Sequence, residues 1–256
     1  MSSREILLYY SLKYNGDWSK IYNAIHDKEE INYEEAEQTI KEFKGKYITI
    51  LDEEYPETLK RGYKAPFVLF YEGNINLLND LNYQKLTLNE KNKTTETEKK
   101  VAVKILHPLR KDVALILGAE NDLNSCIVNT HSNPIIMILS NSLDSYKDIE
   151  LKDKILKNKG VFITEYPKNL SKEEKSGIKP ITIRIFAGLC DKAMFITNVK
   201  EHSSSTILAF LTIQVNKDLL IVPNSPLEEG YVNNQLISEG AYCIYNSNVL
   251  NQMFDR

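Results

Sequence analysis

The sequence predicts an α/β protein in which a doubly wound, mostly parallel sheet follows a small all-helical N-terminal domain. Two patterns carry this. From about residue 85 onward, short runs that are apolar at nearly every position alternate with amphipathic helical stretches, as strands covered on both faces by crossover helices must. The first 44 residues show helical spacing only. Composition sets the class: 256 residues, 42% hydrophobic and 26% charged, match soluble globular chains and leave room for a small domain joined to a medium one.

In chain order, Ile6, Leu7, Tyr10 and Tyr14 recur at helical spacing until Asn15-Gly16-Asp17 stops the pattern. Trp18, Ile21, Tyr22 and Ile25 resume it, and Glu34 to Phe43 makes a third helix with Ala36, Ile40 and Phe43 on one side. Tyr9, Tyr10 and Tyr14 are expected as core and surface of this bundle, not as a base-stacking platform. Tyr47 to Leu51 reads as a strand or extended connection, and Pro56 and Pro66 rule out a helix running through 55–59 or 65–74. The expected division is a helical domain with its extended connection over 1–75 and the α/β domain over 85–256. Strands are expected at Leu86–Leu88, Val113–Leu117, Ile135–Leu139, Val161–Thr164, Ala193–Thr197, Leu219–Val222 and Tyr242–Tyr245. Helices are expected at Glu98–His107, Ile149–Asn158 and Thr206–Val215, the first opened by the capping box Thr95-Glu96-Thr97-Glu98. The polar stretch Asn89 to Lys100 reads as a mobile loop.

Lys+Arg number 32 against Asp+Glu 35, so no overall positive field advertises a polyanion partner, and any nucleic-acid site must be a local patch. Cys126, Cys190 and Cys243 are far apart with no CxxC or CxxH spacing, which argues against a disulfide framework or zinc site. No apolar run approaches the ~18 residues of a membrane span, and no signal-type segment opens the chain. A cytoplasmic protein without membrane contact is expected. There is no Gly-x-Ser-x-Gly, no Walker lysine turn, no Gly-x-Gly-x-x-Gly and no metal-ligand spacing. The chain is therefore read as non-enzymatic, with no catalytic residue, metal or cofactor. His26, His107 and His131 read as structural or solvent-facing, and His202 lies beside the serines of 203–205.

Four strings in register resemble a known family: Tyr55-Pro56-Glu57-Thr58-Leu59, Ala65-Pro66-Phe67-Val68-Leu69-Phe70-Tyr71-Glu72-Gly73-Asn74-Ile75, Arg184-Ile185-Phe186-Ala187-Gly188-Leu189-Cys190, and Asn234-Gln235-Leu236-Ile237-Ser238-Glu239-Gly240-Ala241. Together they resemble the DNA-processing protein A (DprA/Smf) family. The resemblance implies an extended Rossmann-like domain behind a small helical domain, single-stranded DNA binding, dimerisation, and loading of a RecA-type recombinase during natural transformation. The C-terminal winged-helix domain of some members is expected to be missing.

The departures fall on ligand-facing turns. The family's Gly-Ser-Arg turn after the first strand, able to hold a phosphate at a helix N-terminus, is replaced by Asn89-Glu90-Lys91-Asn92-Lys93, with Glu90 and Asn92 near the glycine and arginine positions. The second-strand motif keeps Gly118 but carries Asp122, Asn124 and Val128 at its glycine, aspartate and histidine. Its third-strand motif becomes Ser140-Asn141-Ser142-Leu143-Asp144, and the Arg-Asn-Arg triplet becomes Thr182-Ile183-Arg184. The last glycine-containing turn becomes Asn198 to Ser205, and the nucleotide-cleaving loop Pro-Gly-Gly-x-Gly-Thr-x-x-Glu of related Rossmann proteins is absent. The resemblance implies DNA contacts from Lys91, Asn92, Lys93, Gly118, Arg184, Lys200, Ser203 and Ser205, at a weakened site. Arg184 is expected either to meet a phosphate or to form an ion pair. One of Ser203, Ser204 and Ser205 is expected to cap the following helix. Two alternatives stand beside DNA binding: a nucleotide-binding module lined by Ser140, Asn141, Ser142, Asn198 and Ser203, or a scaffold kept for dimerisation. The helix Thr206 to Val215 is apolar almost all round, so an interface is expected at Leu208, Leu211, Ile213, Leu236 and Ile237, the competing reading being burial beneath Val249 to Phe254.

Overall fold

The computed structural model describes residues 1–89, 91–175, 178–225 and 232–255. Three helices come first: α1 (Ser3–Lys13), α2 (Trp18–His26) and α3 (Tyr33–Glu42). Ser2 caps α1 in a reciprocal capping box with Glu5, and Asp17 and Asn32 cap the other two. Tyr9 and Tyr10 are buried with Ile21, Ala24 and Ala36. Leu7, Leu8 and Leu12 pack the bundle against Val68 and Phe70 of the sheet. Between α1 and α2 the backbone of Gly16 (φ +76°) comes so close to the sheet that a Cβ would lie 2.1 Å from the carbonyl oxygen of Glu165.

The chain continues through β1 (Lys46–Thr49), α4 (Glu57–Lys60) and β2 (Val68–Gly73). Pro56 stands at the N-cap of α4, where its missing N–H costs nothing, so one helical turn fits between the prolines that exclude a longer helix. Next come β3 (Gln84–Leu88), α5 (Glu96–Leu106), β4 (Val113–Gly118), α6 (Asn124–Thr130), β5 (Ile135–Ile138), α7 (Ile149–Lys157) and β6 (Val161–Thr164). The last elements are α8 (Lys172–Lys175), α9 (Ile178–Leu189), β7 (Lys192–Phe195), α10 (Ser204–Gln214), β8 (Asp218–Ile221), α11 (Val232–Ser238), β9 (Tyr242–Cys243) and α12 (Ser247–Gln252).

Among the described residues the strands form one sheet of nine, ordered β1-β2-β6-β5-β4-β3-β7-β8-β9. It is parallel from β6 to β9, with Leu86 opposite Leu115 and Thr87 opposite Ala193; β1 and β2 join antiparallel, with Phe70 opposite Thr164. The stretch read as an extended connection thus adds two strands to the sheet edge. Every residue of β4 to β7 is buried, which explains their unbroken apolar runs.

Two cores result. On one face Leu86, Leu115 and Met137 meet α5, α6, α7 and the C-terminal Leu250, Met253 and Phe254. On the other Ile116, Ile136 and Phe195 meet Leu59, Phe186 and Leu208 from α4, α9 and α10. Burial of Val249 to Phe254 over α10 is therefore corrected: these residues lie across the sheet from it.

Candidate nucleic-acid interface

The strands wind outward from β3 in one direction to β6 and, after α9, in the other from β7 to β9. Loops leaving β3 and β7 part at this reversal, the place where doubly wound sheets bind ligands. Asn89, just past β3, is buried there: its Oδ1 accepts the N–H of Ile196 (3.0 Å) and its Nδ2 donates to Thr197 Oγ1 (2.8 Å). Asn121 Nδ2 donates to the Asn89 carbonyl (3.1 Å). Asn233, at the start of α11, accepts from Val199 N–H (3.0 Å) and donates to the Val222 carbonyl (2.9 Å). The floor of the mouth is thus closed by asparagine bridges.

Above that floor the N-terminus of α5 carries its own anion. Glu98 Oε2 accepts the Thr95 N–H (2.8 Å), while Oε1 accepts the Asn198 N–H (3.3 Å) and the ammonium of Lys91. Burial works against the Glu98 charge, but Lys91 and the Thr95 and Asn198 N–H groups hold its carboxyl below the ordinary value. A phosphate seated at this helix end would have to displace a carboxylate that already uses the N–H groups and the nearest lysine. Beside it, Thr94 donates its N–H (2.9 Å) and hydroxyl (2.6 Å) to Asp122, holding that carboxyl below its usual range. The stretch expected to be a mobile loop is thus tied down over 91–95 and helical from Glu96. Glu90 lies outside the described residues.

The expected contacts separate into groups. Lys93 and Lys200 are exposed, with no carboxylate within 4.0 Å among the described residues; Lys91 is paired to Glu98. Asn92 is exposed on the same loop. Gly118 ends β4 with its carbonyl taken by Asn124 Nδ2 (2.8 Å) and Asn121 N–H (3.1 Å). Ser203 is the N-cap residue of α10, yet its side chain makes no capping bond and its buried hydroxyl has no hydrogen-bond partner among the described residues; Ser205, the second residue of the helix, is buried. Arg184 is elsewhere, in the middle of α9. Its guanidinium pairs bidentately with Glu165 (2.8 and 2.5 Å), each side chain 3% exposed, and its remaining donors reach the carbonyls of Lys64 and Ile181 (both 2.7 Å). Of its two expected roles, the structure builds the ion pair. His107 and His131 meet edge to face at the opposite ends of the strands.

Comparison with known proteins bears directly on this sheet and mouth. The family described as DNA recombination-mediator protein A matches residues 46–255. The chain belongs to that family. Over 206 residues it is 26% identical to the DNA processing protein DprA of Streptococcus pneumoniae, aligning 77% of this chain with 70% of that protein. Its fold is similar to the X-ray structure of DprA from Streptococcus pneumoniae, with a TM-score of 0.72 at 22% identity over 96% of this chain and 92% of that one. It is also similar to DNA processing protein A of Helicobacter pylori, whose structure concerns a single-stranded DNA binding mode, with a TM-score of 0.64 at 18% identity over 82% and 96%.

In this DprA-family chain the alternative nucleotide pocket is divided. Ser140 and Asn141 line a polar cleft of about 570 Å³ beyond β4 and β5, with Asn121, Asp122, Asn124 and Asn169. Ser142 is buried, donating to Asn169 (2.9 Å), while Asn198 and Ser203 follow β7 and are not part of the cleft lining. Of the expected interface positions, Leu208 is buried in the core, Leu211, Leu236 and Ile237 are half-buried, and Ile213 is 56% exposed beside Phe210 at 59%. Among the described residues no three His, Cys, Asp or Glu side chains are placed to hold a metal, and no helix is long and apolar enough to cross a membrane. Sequence reading treated Glu98 only as a helix cap. Of the asparagines that close the mouth, Asn89 and Asn121 left a signal, a polar amide one and three residues past the apolar runs of β3 and β4, whereas Asn233 in α11 left none.

Proposed function

We propose that this DprA-family protein binds single-stranded DNA at the mouth between β3 and β7 and, as a recombination mediator, presents it to a RecA-type recombinase. The family match across 46–255 carries the reading, supported by the likeness to the Helicobacter pylori protein. Lys93 and Lys200, exposed on the two diverging loops, supply the phosphate contacts, with Asn92 and the backbone near Gly118, Ser203 and Ser205 beside them. Lys91 contributes little while Glu98 holds it. The protein works in the cytoplasm as a binding protein without catalysis, its three N-terminal helices acting as one domain and the α/β part, which begins with β1, as the other. It pairs with a second copy through the exposed side of α10 around Ile213, flanked by Leu211, Leu236 and Ile237. The test is fluorescence anisotropy with labelled oligothymidine and a matched duplex. Saturable binding of the single strand that weakens in Lys93→Ala and Lys200→Ala supports the reading; absence of binding at low salt removes it.

A second reading rests on one observation: Asn124 Oδ1, buried at the polar cleft beyond β4 and β5, has no hydrogen-bond partner among the described residues. A nucleotide filling that cleft would raise the melting temperature by mass action, and a thermal shift panel of mononucleotides tests it.

A further inference from the structure

The N-terminal helices present a second surface that the mouth does not use. Trp18, Tyr22 and His26 stand at i, i+4 and i+8 along α2 and so share one stripe. Their rings are nearly parallel: Trp18 and Tyr22 have centroids 5.0 Å apart at 11°, and Tyr22 and His26 5.8 Å apart at 21°. Phe67 extends the row behind Trp18 (5.5 Å, 22°). The core pairs Phe43–Phe70 and Tyr146–Phe162 instead meet edge to face at 69° and 60°. Tyr22 is 46% exposed and Tyr63, on the loop after α4, 65% exposed. Between the helix and that loop lies Lys64, its Nζ 5.0 Å from the Trp18 ring and 5.5 Å from the Tyr63 ring, with no carboxylate within 4.0 Å among the described residues.

The loop holding Tyr63 and Lys64 is fixed by three successive carbonyls. Arg184 Nε donates to that of Lys64 (2.7 Å), Trp18 Nε1 to that of Ala65 (2.9 Å) and the Tyr55 hydroxyl to that of Pro66 (2.8 Å). Lys64 itself takes φ +47°, a conformation that costs a non-glycine residue energy and persists only where surroundings impose it. A rigid framework therefore holds the exposed rings of Tyr22, His26 and Tyr63 beside a half-buried cation, Lys64. Lys20 on α2 and Lys60 and Arg61 at the end of α4 make only loose, solvent-exposed pairs at 3.6–3.8 Å.

Parallel aromatic faces interleaved with cations match one chemistry, a single strand whose bases stack while its phosphates meet lysine. We propose that α2 and the loop at Tyr63 and Lys64 form a second single-stranded nucleic-acid surface, separate from the mouth at Lys93 and Lys200. The inference rests on the single-strand binding proposed above.

Trp18 is the chain's single tryptophan and reports directly on the surface. The full chain is titrated with oligothymidine, following tryptophan emission and, in parallel, the anisotropy of a labelled strand; an abasic strand of equal length is the control. Emission should be quenched with the same half-saturation as the anisotropy, Tyr63→Ala should raise Kd about fivefold or more, and Lys64→Ala should flatten the salt slope by about 0.7. Circular dichroism confirms that the variants fold. Saturable anisotropy with unchanged emission and a wild-type Kd in Tyr63→Ala overturns the inference alone and leaves the row as a protein-docking face. Equal quenching by the abasic strand overturns the stacking role, and no binding in either signal overturns this inference together with the function it rests on.

Discussion

Replacing Glu165 by methionine strands the Arg184 guanidinium in the core. Both side chains are 3% exposed, and without the carboxylate only the carbonyls of Lys64 and Ile181 remain as acceptors. Removing one partner of such a pair costs about 3–5 kcal/mol. At about 2–4 °C per kcal/mol for a chain of this size, Tm should fall by roughly 6–20 °C. Arg184→Met should cost a similar amount, because Glu165 is then the buried charge. The double variant Arg184→Met/Glu165→Met should recover much of the loss, since no unpaired charge remains. Thermal denaturation by circular dichroism reads all three. An Arg184→Met protein that melts within about 1 °C of wild type would refute the buried-pair reasoning.

Further outcomes are expected at Glu98, on the exposed face of α10 and at Gly16. Glu98→Gln releases Lys91 and removes the resident anion at α5, so single-strand affinity should rise and the salt slope steepen by about 0.7; unchanged anisotropy titrations at several salt concentrations would contradict this. Because the folded Glu98 carboxyl titrates below its ordinary 4.5, its stabilisation is complete above that value and is lost as pH falls through the lower folded value. The stability gap between wild type and Glu98→Gln should therefore close in acid-denaturation series. Ile213→Asp, at an exposed position, should leave the fold intact and convert the proposed dimer to a monomer in light scattering, whereas Leu208→Asp should unfold the chain; a monomeric wild type at tens of micromolar ends that proposal. Gly16→Ala combines positive φ with a contact on the Glu165 carbonyl and should cost at least about 1–2 kcal/mol, seen as a Tm lower by about 2–8 °C.

Most of the sheet was legible because strands buried on both faces leave unbroken apolar runs: Val161–Thr164 coincides with β6, and β3 to β5, β7 and β8 lie within a residue or two of their expected bounds. β2 was harder to see, since Pro66 and the polar end Glu72-Gly73 mask a strand that pairs antiparallel near the sheet edge. The site was legible only as a place. Which lysine is paired depends on how the loop folds back on the start of α5: Lys91 is taken by Glu98, seven residues on, whereas Lys93 is left exposed. Arg184 and Glu165 are nineteen residues apart with nothing in their local pattern to pair them. The aromatic row was hidden for a similar reason, because Trp18 and Tyr22 read as one face of a core helix, and Tyr63 and Lys64 reach them only through the fold.

Single-strand binding at a mouth whose anion site is already occupied by Glu98 can be read from the anisotropy of labelled oligothymidine and of its duplex across a salt series. The single strand should bind saturably and the duplex much more weakly, with a slope of log K against log salt that loses about 0.7 with each of Lys93→Ala and Lys200→Ala. Duplex bound as tightly as single strand, or a single strand indifferent to both substitutions, would contradict it.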